Sequence, residues 1–190
     1  MVAIHRTAFP DSALTAFGDE VVRRYYAWLL DGPHDASLMG AWIDSRLVGF
    51  CAAGIFRGAM NGFLRLNRRF LASRVLLRPT LLASPLIRSR VRSALSITVR
   101  FSRLAQRRTP PAQPSFGVLA IATSRDVRGR GAGRALMLEA EARARTGGHR
   151  RMVLTVHPSN ARAVAFYEQL HWVRTIGSDG TWSGAMHRDL

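Results

Sequence analysis

Residues 127–137 read VRGRGAGRALM and place three glycines, Gly129, Gly131 and Gly133, directly before a run of strong helix formers. A glycine disfavours a helix interior by about 1 kcal/mol relative to alanine, so glycines concentrated at a helix start need a physical reason. A glycine-rich turn between a strand and a helix aims backbone N–H groups and the positive end of the helix dipole at one point. The stretch therefore predicts an anion-binding site.

Two common phosphate sites with this plan fit the sequence poorly. A Walker loop requires a lysine after its last glycine, and the chain contains no lysine. A dinucleotide site combines G-x-G-x-x-G with an acidic residue at the end of the next strand. Here the spacing is G-x-G-x-G, and the next predicted strand, RMVLTVHP at 151–158, carries no acid. The glycine turn thus favours a phosphate site of another kind.

Length and composition predict one compact domain over residues 1–190, since 47% of the residues are hydrophobic. No stretch approaches the roughly 18 uninterrupted apolar residues of a membrane span. The N-terminal MVAIHRTAFPDS lacks the layout of a secretory signal, so we expect a cytoplasmic protein. The single cysteine, Cys51, lies in an apolar run and is predicted to be a small core residue. We predict no metal site.

The positive charge of the chain is concentrated in one segment. The formal net charge is +16, and no acidic residue lies between Asp44 and Asp126. Residues 56–108 mix leucines with arginines at helical spacing, which predicts two or three basic amphipathic helices. The proline-rich RRTPPAQP at the end is predicted to be a stiff connector. We therefore expect 56–113 to form a basic, mostly helical insertion.

Periodicity and turn signals on either side of this insertion predict alternating strands and helices. Before it we expect a strand at 2–6, two helices broken near Gly18 with a cap at Asp11 or Ser12, and a β-hairpin turning at Asp44-Ser45. After it we expect a strand at 116–123, a helix at 134–146, a strand at 151–156, a helix capped by Ser159 or Asn160, and closing strands around 178–180.

The glycine turn and the last predicted helix together carry a family pattern. Arg128 to Gly133 match R/Q-x-x-G-x-G/A, and NARAVAFYEQLHW follows with Asn160 and Tyr167 at the matching distance. On these residues the segment 115–175 resembles the GNAT family of N-acetyltransferases, which binds acetyl-coenzyme A. The resemblance implies an α/β fold of the mixed α+β type. Its central sheet is mixed and largely antiparallel, has about six to seven strands, and is flanked by helices.

The resemblance also implies where acetyl-coenzyme A binds. Its pyrophosphate is expected at the glycine turn and its pantetheine arm along the preceding strand. Because two arginines are interleaved with the glycines, they add charge to the backbone donors, and Arg134 is expected to be the solvent-exposed arginine of the set. The predicted cofactor-binding residues are Ile121, Ala122, Thr123, Arg128, Gly129, Arg130, Gly131, Ala132, Gly133, Asn160 and Phe166.

Tyr167 matches the family's general acid, which protonates the departing thiolate. Asn160 matches its coenzyme-contacting asparagine and also suits a helix cap. Strand 116–123 offers no carboxylate, which leaves His157 as a candidate base, with Asp179 as an alternative. This shortage of bases favours weakly basic amines as acceptors. On the substrate side, the resemblance points to the N-terminal helices, where Tyr25 and Tyr26 are candidates.

We therefore predict an acetyl-coenzyme A dependent N-acetyltransferase acting on a small-molecule amine, such as an amino sugar of a glycan or glycolipid. The alternatives are a protein N-terminal acetyltransferase and a noncatalytic module that senses acyl-coenzyme A while its arginine-rich insert binds lipid or RNA. The charge of 56–108 favours anionic partners, and its amphipathic pattern favours peripheral binding at an anionic inner-membrane surface. Aromatic residues are sparse among these arginines, which disfavours nucleic acid as a partner.

Overall fold

The computed structural model describes residues 1–77 and 115–190. Its strands are β1 (Asp35–Ile43), β2 (Arg46–Ile55), β3 (Phe116–Thr123), β4 (Arg151–Thr155), β5 (Val173–Arg174) and β6 (Ala185–Asp189). Its helices are α1 (Val2–Ala8), α2 (Ala13–Phe17), α3 (Asp19–Asp31), α4 (Ala59–Leu66), α5 (Arg68–Leu77), α6 (Ala132–Thr146) and α7 (Ala161–Gln169).

The strands form one six-stranded sheet with the order β1-β2-β3-β4-β6-β5. Only β3 and β4 pair in parallel, and the other neighbours are antiparallel. Helices cover both faces of the sheet, and the side chains of β2 alternate between these faces. Phe50 and Ala52 join a core with α1, α3 and α4, whereas Cys51 and Ala53 join a core with α6 and α7. The predicted mixed, largely antiparallel sheet flanked by helices is thereby confirmed.

The hairpin of β1 and β2 turns where the sequence predicts. Asp44 and Ser45 have φ angles of +47° and +63°, the left-handed backbone that a tight two-residue hairpin turn requires. β2 is buried from Val48 to Gly54, which suits a central strand covered on both faces.

The predicted strand at 2–6 is wrong, because Val2–Ala8 form a helix. Ile4 and His5 are buried on this helix, and His5 Nδ1 lies 3.0 Å from the Tyr26 hydroxyl of α3. Five residues are too few to distinguish a strand period from a helix period, so packing against α3 decides the conformation. The predicted helix break at Gly18 and the cap at Ser12 are both confirmed.

Of the residues 56–108, the structure describes 56–77, which contain the helices α4 and α5. The apolar residues of α5 are not gathered on one face, unlike the predicted amphipathic pattern. α4 packs Phe63 against Tyr25 with ring centroids 5.2 Å apart, and the Arg24 guanidinium lies 3.9 Å from the Phe70 ring centroid. The helices and the connector that we predict within 78–113 lie outside the described residues.

The segment β3-α6-β4-α7 follows the predicted order, and α6 begins two residues earlier than predicted, at Ala132. Asn160 caps α7, its side-chain oxygen accepting the Ala163 N–H at 3.1 Å. The buried Glu141 of α6 accepts a hydrogen bond from Arg188 of β6 at 2.9 Å, which fixes α6 against the sheet. The predicted closing pair of strands is confirmed by β5 and β6.

Replacing Gly54 by alanine is predicted to lower the free energy of unfolding by about 2 to 4 kcal/mol. Gly54 has a φ of +148°, and an added Cβ would lie 2.2 Å from the backbone oxygen of Asp35. Gly117, its pairing partner on β3, is the matched control, since a Cβ there meets no atom closer than 3.6 Å. Urea unfolding should give a loss under about 1 kcal/mol for Gly117→Ala. Equal losses of unfolding free energy in the two variants would contradict the close approach of Gly54 to the backbone of Asp35.

Candidate active site

The candidate site is a cleft that opens where β3 and β4 separate. Their parallel pairing covers only Phe116–Val118 against Met152–Leu154. On its other side β3 remains paired with β2 as far as Thr123. The part of β3 beyond Val118 therefore keeps a strand partner on one edge only. Backbone N–H and C=O groups on the other edge face the cleft, and they need a partner when water is displaced.

A β-bulge marks the point of separation. Ala120 pairs with Ala52 and Val118 pairs with Ala53, so Leu119 is an extra residue on β3. A bulge increases the local twist of a strand and bends it, and bulges are common beside active sites. Leu119 is 41% exposed and lines the cleft. The bulge thus coincides with the opening of the sheet.

The cleft has a volume of about 740 Å³, within the range of sites for small molecules and cofactors. All predicted cofactor-binding residues except Arg130 line it, and so do Tyr167 and His157. Arg134 and Arg162 also line it, as do Ala8 and Phe9 at the end of α1. The sequence analysis missed the contribution of α1, since no local signal reports that this helix packs beside β3.

The glycine turn lies at the mouth of the cleft and ends at the start of α6. Gly129 and Gly131 have φ angles of +80° and +85°. A Cβ at either position would meet no atom within 4 Å, so the backbone angle, and not lack of space, favours glycine here. Gly131 is the N-cap of α6 and no side chain caps this helix. Its first N–H groups are therefore available to an anion in the cleft.

Three guanidinium groups add positive charge to this mouth. Arg128, Arg134 and Arg162 are exposed and line the cleft. Asp126, the carboxylate beside the turn, is paired with Arg46, and this hydrogen bond lowers the pKa of Asp126. Among the residues that the structure describes, no carboxylate lines the cleft. The cleft therefore attracts anions such as phosphate groups.

Tyr167 forms part of the wall deeper in the cleft. Its ring packs between Phe166 and Trp172, with centroid distances of 5.3 Å and 6.2 Å. Only 9% of the residue is exposed, and burial raises its pKa to about 12. The phenol consequently stays protonated near pH 7, where its hydroxyl can donate a hydrogen bond.

Asn160 and His157 lie on the loop between β4 and α7 and line the cleft. The Asn160 side-chain oxygen is used by the helix cap, so its NH₂ group is the part left for a ligand. His157 Nδ1 lies 2.7 Å from the Ser159 hydroxyl and accepts the Ser159 N–H at 3.3 Å. With Nδ1 as acceptor, a neutral imidazole carries its proton on Nε2. This arrangement favours a loop-ordering role for His157 over the predicted role of base.

Tyr25 and Tyr26 do not reach this cleft. They are 4% and 2% exposed in the core between α1, α3, α4 and the sheet, and neither lines the cleft. Their aromatic character reflects packing, since Tyr25 meets Phe63 and Tyr26 meets Phe50 edge to face. The structure thus brings the predicted cofactor and catalytic residues together but leaves the two predicted substrate residues apart.

No helix in residues 1–77 and 115–190 is long and apolar enough to cross a membrane. Within the same ranges, no three His, Cys, Asp or Glu side chains are grouped to hold a metal ion.

The sequence of residues 98–172 matches the family model described as the acetyltransferase (GNAT) family. Over this segment the chain is similar to the GNAT acetyltransferases. GNAT acetyltransferases use acetyl-coenzyme A, and the glycine turn, the charge of the cleft mouth and the open edge of β3 fit that cofactor. The sequence matches no curated protein.

Solved structures share the GNAT fold over nearly the whole chain. The PaiA N-acetyltransferase of Thermoplasma acidophilum, in complex with coenzyme A, has 13% identity and a TM-score of 0.54, covering 100% of this chain and 87% of that one. An acetyltransferase of Thermus thermophilus has 16% identity and a TM-score of 0.55, with 100% and 88% covered. The ribosomal-protein-alanine N-acetyltransferase of Brucella melitensis has 15% identity and a TM-score of 0.56, with 100% and 91% covered. At these identities the likeness shows the fold.

The tyrosines of this protein are predicted to resist ionisation until the protein unfolds. All three are buried, and burial raises the pKa of Tyr25 and Tyr167 to about 12 and raises the pKa of Tyr26 as well. The folded state binds the phenol protons more tightly than the unfolded state. The stabilisation is therefore complete below about pH 10 and is lost as the pH rises towards 12.

Phenolate absorbance and circular dichroism measured against pH test this prediction. In buffer the two signals should change together above about pH 11, whereas in urea the tyrosines should ionise near pH 10. A tyrosine that ionises near pH 10 in folded protein would contradict it.

Proposed function

We propose that this protein transfers an acetyl group from acetyl-coenzyme A to a primary amine of a small molecule, including an amino sugar of a glycan or glycolipid. The observation that carries the proposal is the meeting of three features at one cleft. These are the unpaired edge of β3, the uncapped N-terminus of α6, and the protonated hydroxyl of Tyr167. The edge of β3 suits a pantetheine arm, the N-terminus of α6 suits a pyrophosphate, and the Tyr167 hydroxyl suits a leaving thiol.

The chain's own groups supply the binding contacts. Backbone N–H groups at the start of α6, together with Arg128 and Arg134, bind the phosphates. The open edge of β3 pairs with the amides of the pantetheine arm, in the way that an added peptide extends a sheet. The Asn160 NH₂ group is free to donate to the same ligand. The cofactor residues named from the sequence keep these roles in the proposal, except that Arg130 lies outside the cleft lining.

Tyr167 acts on the leaving group. Acetyl-coenzyme A supplies a thioester, and its sulfur gains negative charge as an amine attacks the carbonyl carbon. A phenol of pKa about 12 gives its proton to a thiol of pKa about 8.5 only at a cost of about 5 kcal/mol. The Tyr167 hydroxyl therefore stabilises the developing thiolate chiefly by donating a hydrogen bond. Full proton transfer to sulfur is not required.

The substitution Tyr167→Phe is predicted to lower kcat by about 10-fold to 100-fold, as for a single acid–base group, while acetyl-coenzyme A binds as before. The matched control is Tyr25→Phe, which removes the same hydroxyl from a buried ring outside the cleft and should leave kcat unchanged. Thiol release measures kcat and calorimetry measures binding. An unchanged kcat in Tyr167→Phe would remove this role, and a loss in Tyr25→Phe would restore Tyr25 as a substrate residue.

The arginines of the glycine turn are predicted to differ in their effect on coenzyme affinity. Arg134→Ala should weaken binding about tenfold, because it removes a charge that lines the cleft. Arg130→Ala removes an equally exposed charge outside the lining and should change the affinity less than about twofold. Calorimetric titration of each variant with acetyl-coenzyme A at two salt concentrations measures the two changes in affinity. A larger loss in Arg130→Ala would reverse this assignment.

A second candidate function is binding to a membrane surface. We propose that 56–108 bring the protein to an anionic membrane surface, supported by α4 and α5, where Leu66, Leu76 and Leu77 are 69%, 82% and 77% exposed among arginines. Flotation with anionic vesicles, but not with zwitterionic ones, is the expected result.

The domain organisation that we propose is a single cytoplasmic domain, 1–190, with 115–175 as its coenzyme-binding core and 56–113 inserted in it.

Two alternative functions can be tested with the same thiol-release and binding experiments. A protein N-terminal acetyltransferase has a fold neighbour in the ribosomal-protein-alanine N-acetyltransferase and would acetylate peptides with a free α-amine. A sensor of acyl-coenzyme A would bind the coenzyme without releasing thiol in the presence of any amine. Thiol release with a panel of amines and peptides separates the three.

A further inference from the structure

The ionisable groups along the cleft indicate which amines it accepts. We infer that the acceptor is an amine with a substantial neutral fraction near pH 7, and that no described residue lining the cleft deprotonates it. Asp179, the alternative base candidate, lies outside this lining and accepts hydrogen bonds from Thr181. This inference rests on the proposed acetyl transfer and narrows its substrate class. It distinguishes aromatic amines, hydrazines and α-amines from alkyl amines of the lysine or polyamine type.

The groups that face the cleft are cationic or hold their protons. The glycine turn and α6 contribute Arg128 and Arg134, and α7 contributes Arg162 and the protonated Tyr167. The loop after β4 contributes His157, whose Nδ1 is engaged by Ser159. No carboxylate lies among the described lining residues to stabilise an ammonium ion or to take its proton.

The nearby carboxylates are held elsewhere. Asp126 adjoins the lining residue Val127 but is paired with Arg46. Asp11 follows the lining residue Phe9 by two positions and is exposed outside the lining. At the end of α1, only Ala8 and Phe9 line the cleft. His5, on the same helix, lies outside the lining and contacts Tyr26 and Ser12.

Residues 78–114 supply no base wherever they lie. Their sequence contains no Asp, Glu, His, Cys, Tyr or Lys, and the acid-free run extends from residue 45 to residue 125. Arginine stays protonated in proteins, and the neutral hydroxyls of serine and threonine are too weakly basic to take a proton from an ammonium ion. The insertion can therefore add only positive charge to an approaching amine.

The consequence is a selectivity set by the amine itself. An α-amine of pKa about 7.8 is neutral in about 1 of 7 molecules at pH 7, whereas a lysine-type amine of pKa about 10.4 is neutral in about 1 of 2500. Without a base to shift that balance, the neutral fraction alone favours the α-amine about 300-fold. Its lower intrinsic nucleophilicity reduces this advantage, and we expect at least tenfold to remain.

The experiment measures kcat/KM against pH for acceptors of graded basicity with the full-length protein and acetyl-coenzyme A. The series comprises an arylamine, a hydrazide, an amino sugar, glycinamide, a short alkyl amine, and lysinamide, which carries an α-amine and an ε-amine in one molecule. We expect the acid limb of each profile to follow the acceptor's own pKa. Lysinamide should be acetylated at the α-amine at least tenfold faster than at the ε-amine at pH 7.

A matched variant tests the remaining imidazole. His157→Asn keeps an acceptor for the Ser159 N–H but removes the imidazole, so kcat/KM and the acid limb should stay within about threefold of the parent. An acid limb at one fixed pH for every acceptor, or its loss in His157→Asn, would overturn the inference.

The remaining outcomes are also decisive. Preference for the alkyl amine or the ε-amine contradicts the inference and leaves the proposed acetyl transfer intact. A lack of turnover with the whole series in protein that binds acetyl-coenzyme A is the result expected of a sensor, and it removes the proposed transfer together with the inference. A failure to bind acetyl-coenzyme A is a different result, because it removes the proposed function itself.

Discussion

The site depends on the loss of pairing between two adjacent strands. β3 pairs with β4 only through Val118, and from there the two diverge while β3 stays paired with β2 to Thr123. Backbone groups inside a sheet carry a free-energy penalty when they lack partners and water is excluded. The divergence therefore creates a row of donors and acceptors suited to a ligand with amide groups. Because β2 is buried and holds the opposite edge, this row lies on a rigid element and not on a loop.

The same framework fixes the charges at the mouth of the cleft. Glu141 and Arg188 join α6 to β6, so the N-terminus of α6 is held beside the opening. Arg128, Arg134 and Arg162 line the same cleft as this uncapped helix start. These charges attract the phosphates of the acetyl donor. Acceptor selection rests on a different feature, the lack of a carboxylate among the described lining residues.

Local signals were enough to predict the centre of the fold. Glycines at positive φ, the Asn160 cap and the Asp44-Ser45 turn act over a few residues, so strand, turn and helix could be placed from the sequence. Contacts between distant segments could not be. The packing of α1 on α3 overrides an ambiguous pattern at 2–6, and Tyr26 is buried at the same contact, where its hydroxyl meets His5. Which arginine of the turn lines the cleft depends on how α6 begins, and the composition of the turn does not encode this.

Hydrogen exchange of the β3 amides with and without acetyl-coenzyme A tests the central claim most directly. Alternate amides between Leu119 and Thr123, which face the cleft, should exchange at least tenfold more slowly in the presence of the coenzyme. The amides of Gly117 and Val118, which are already paired with both β2 and β4, should change little by comparison. Unchanged exchange along Leu119–Thr123 in protein saturated with acetyl-coenzyme A would contradict the account.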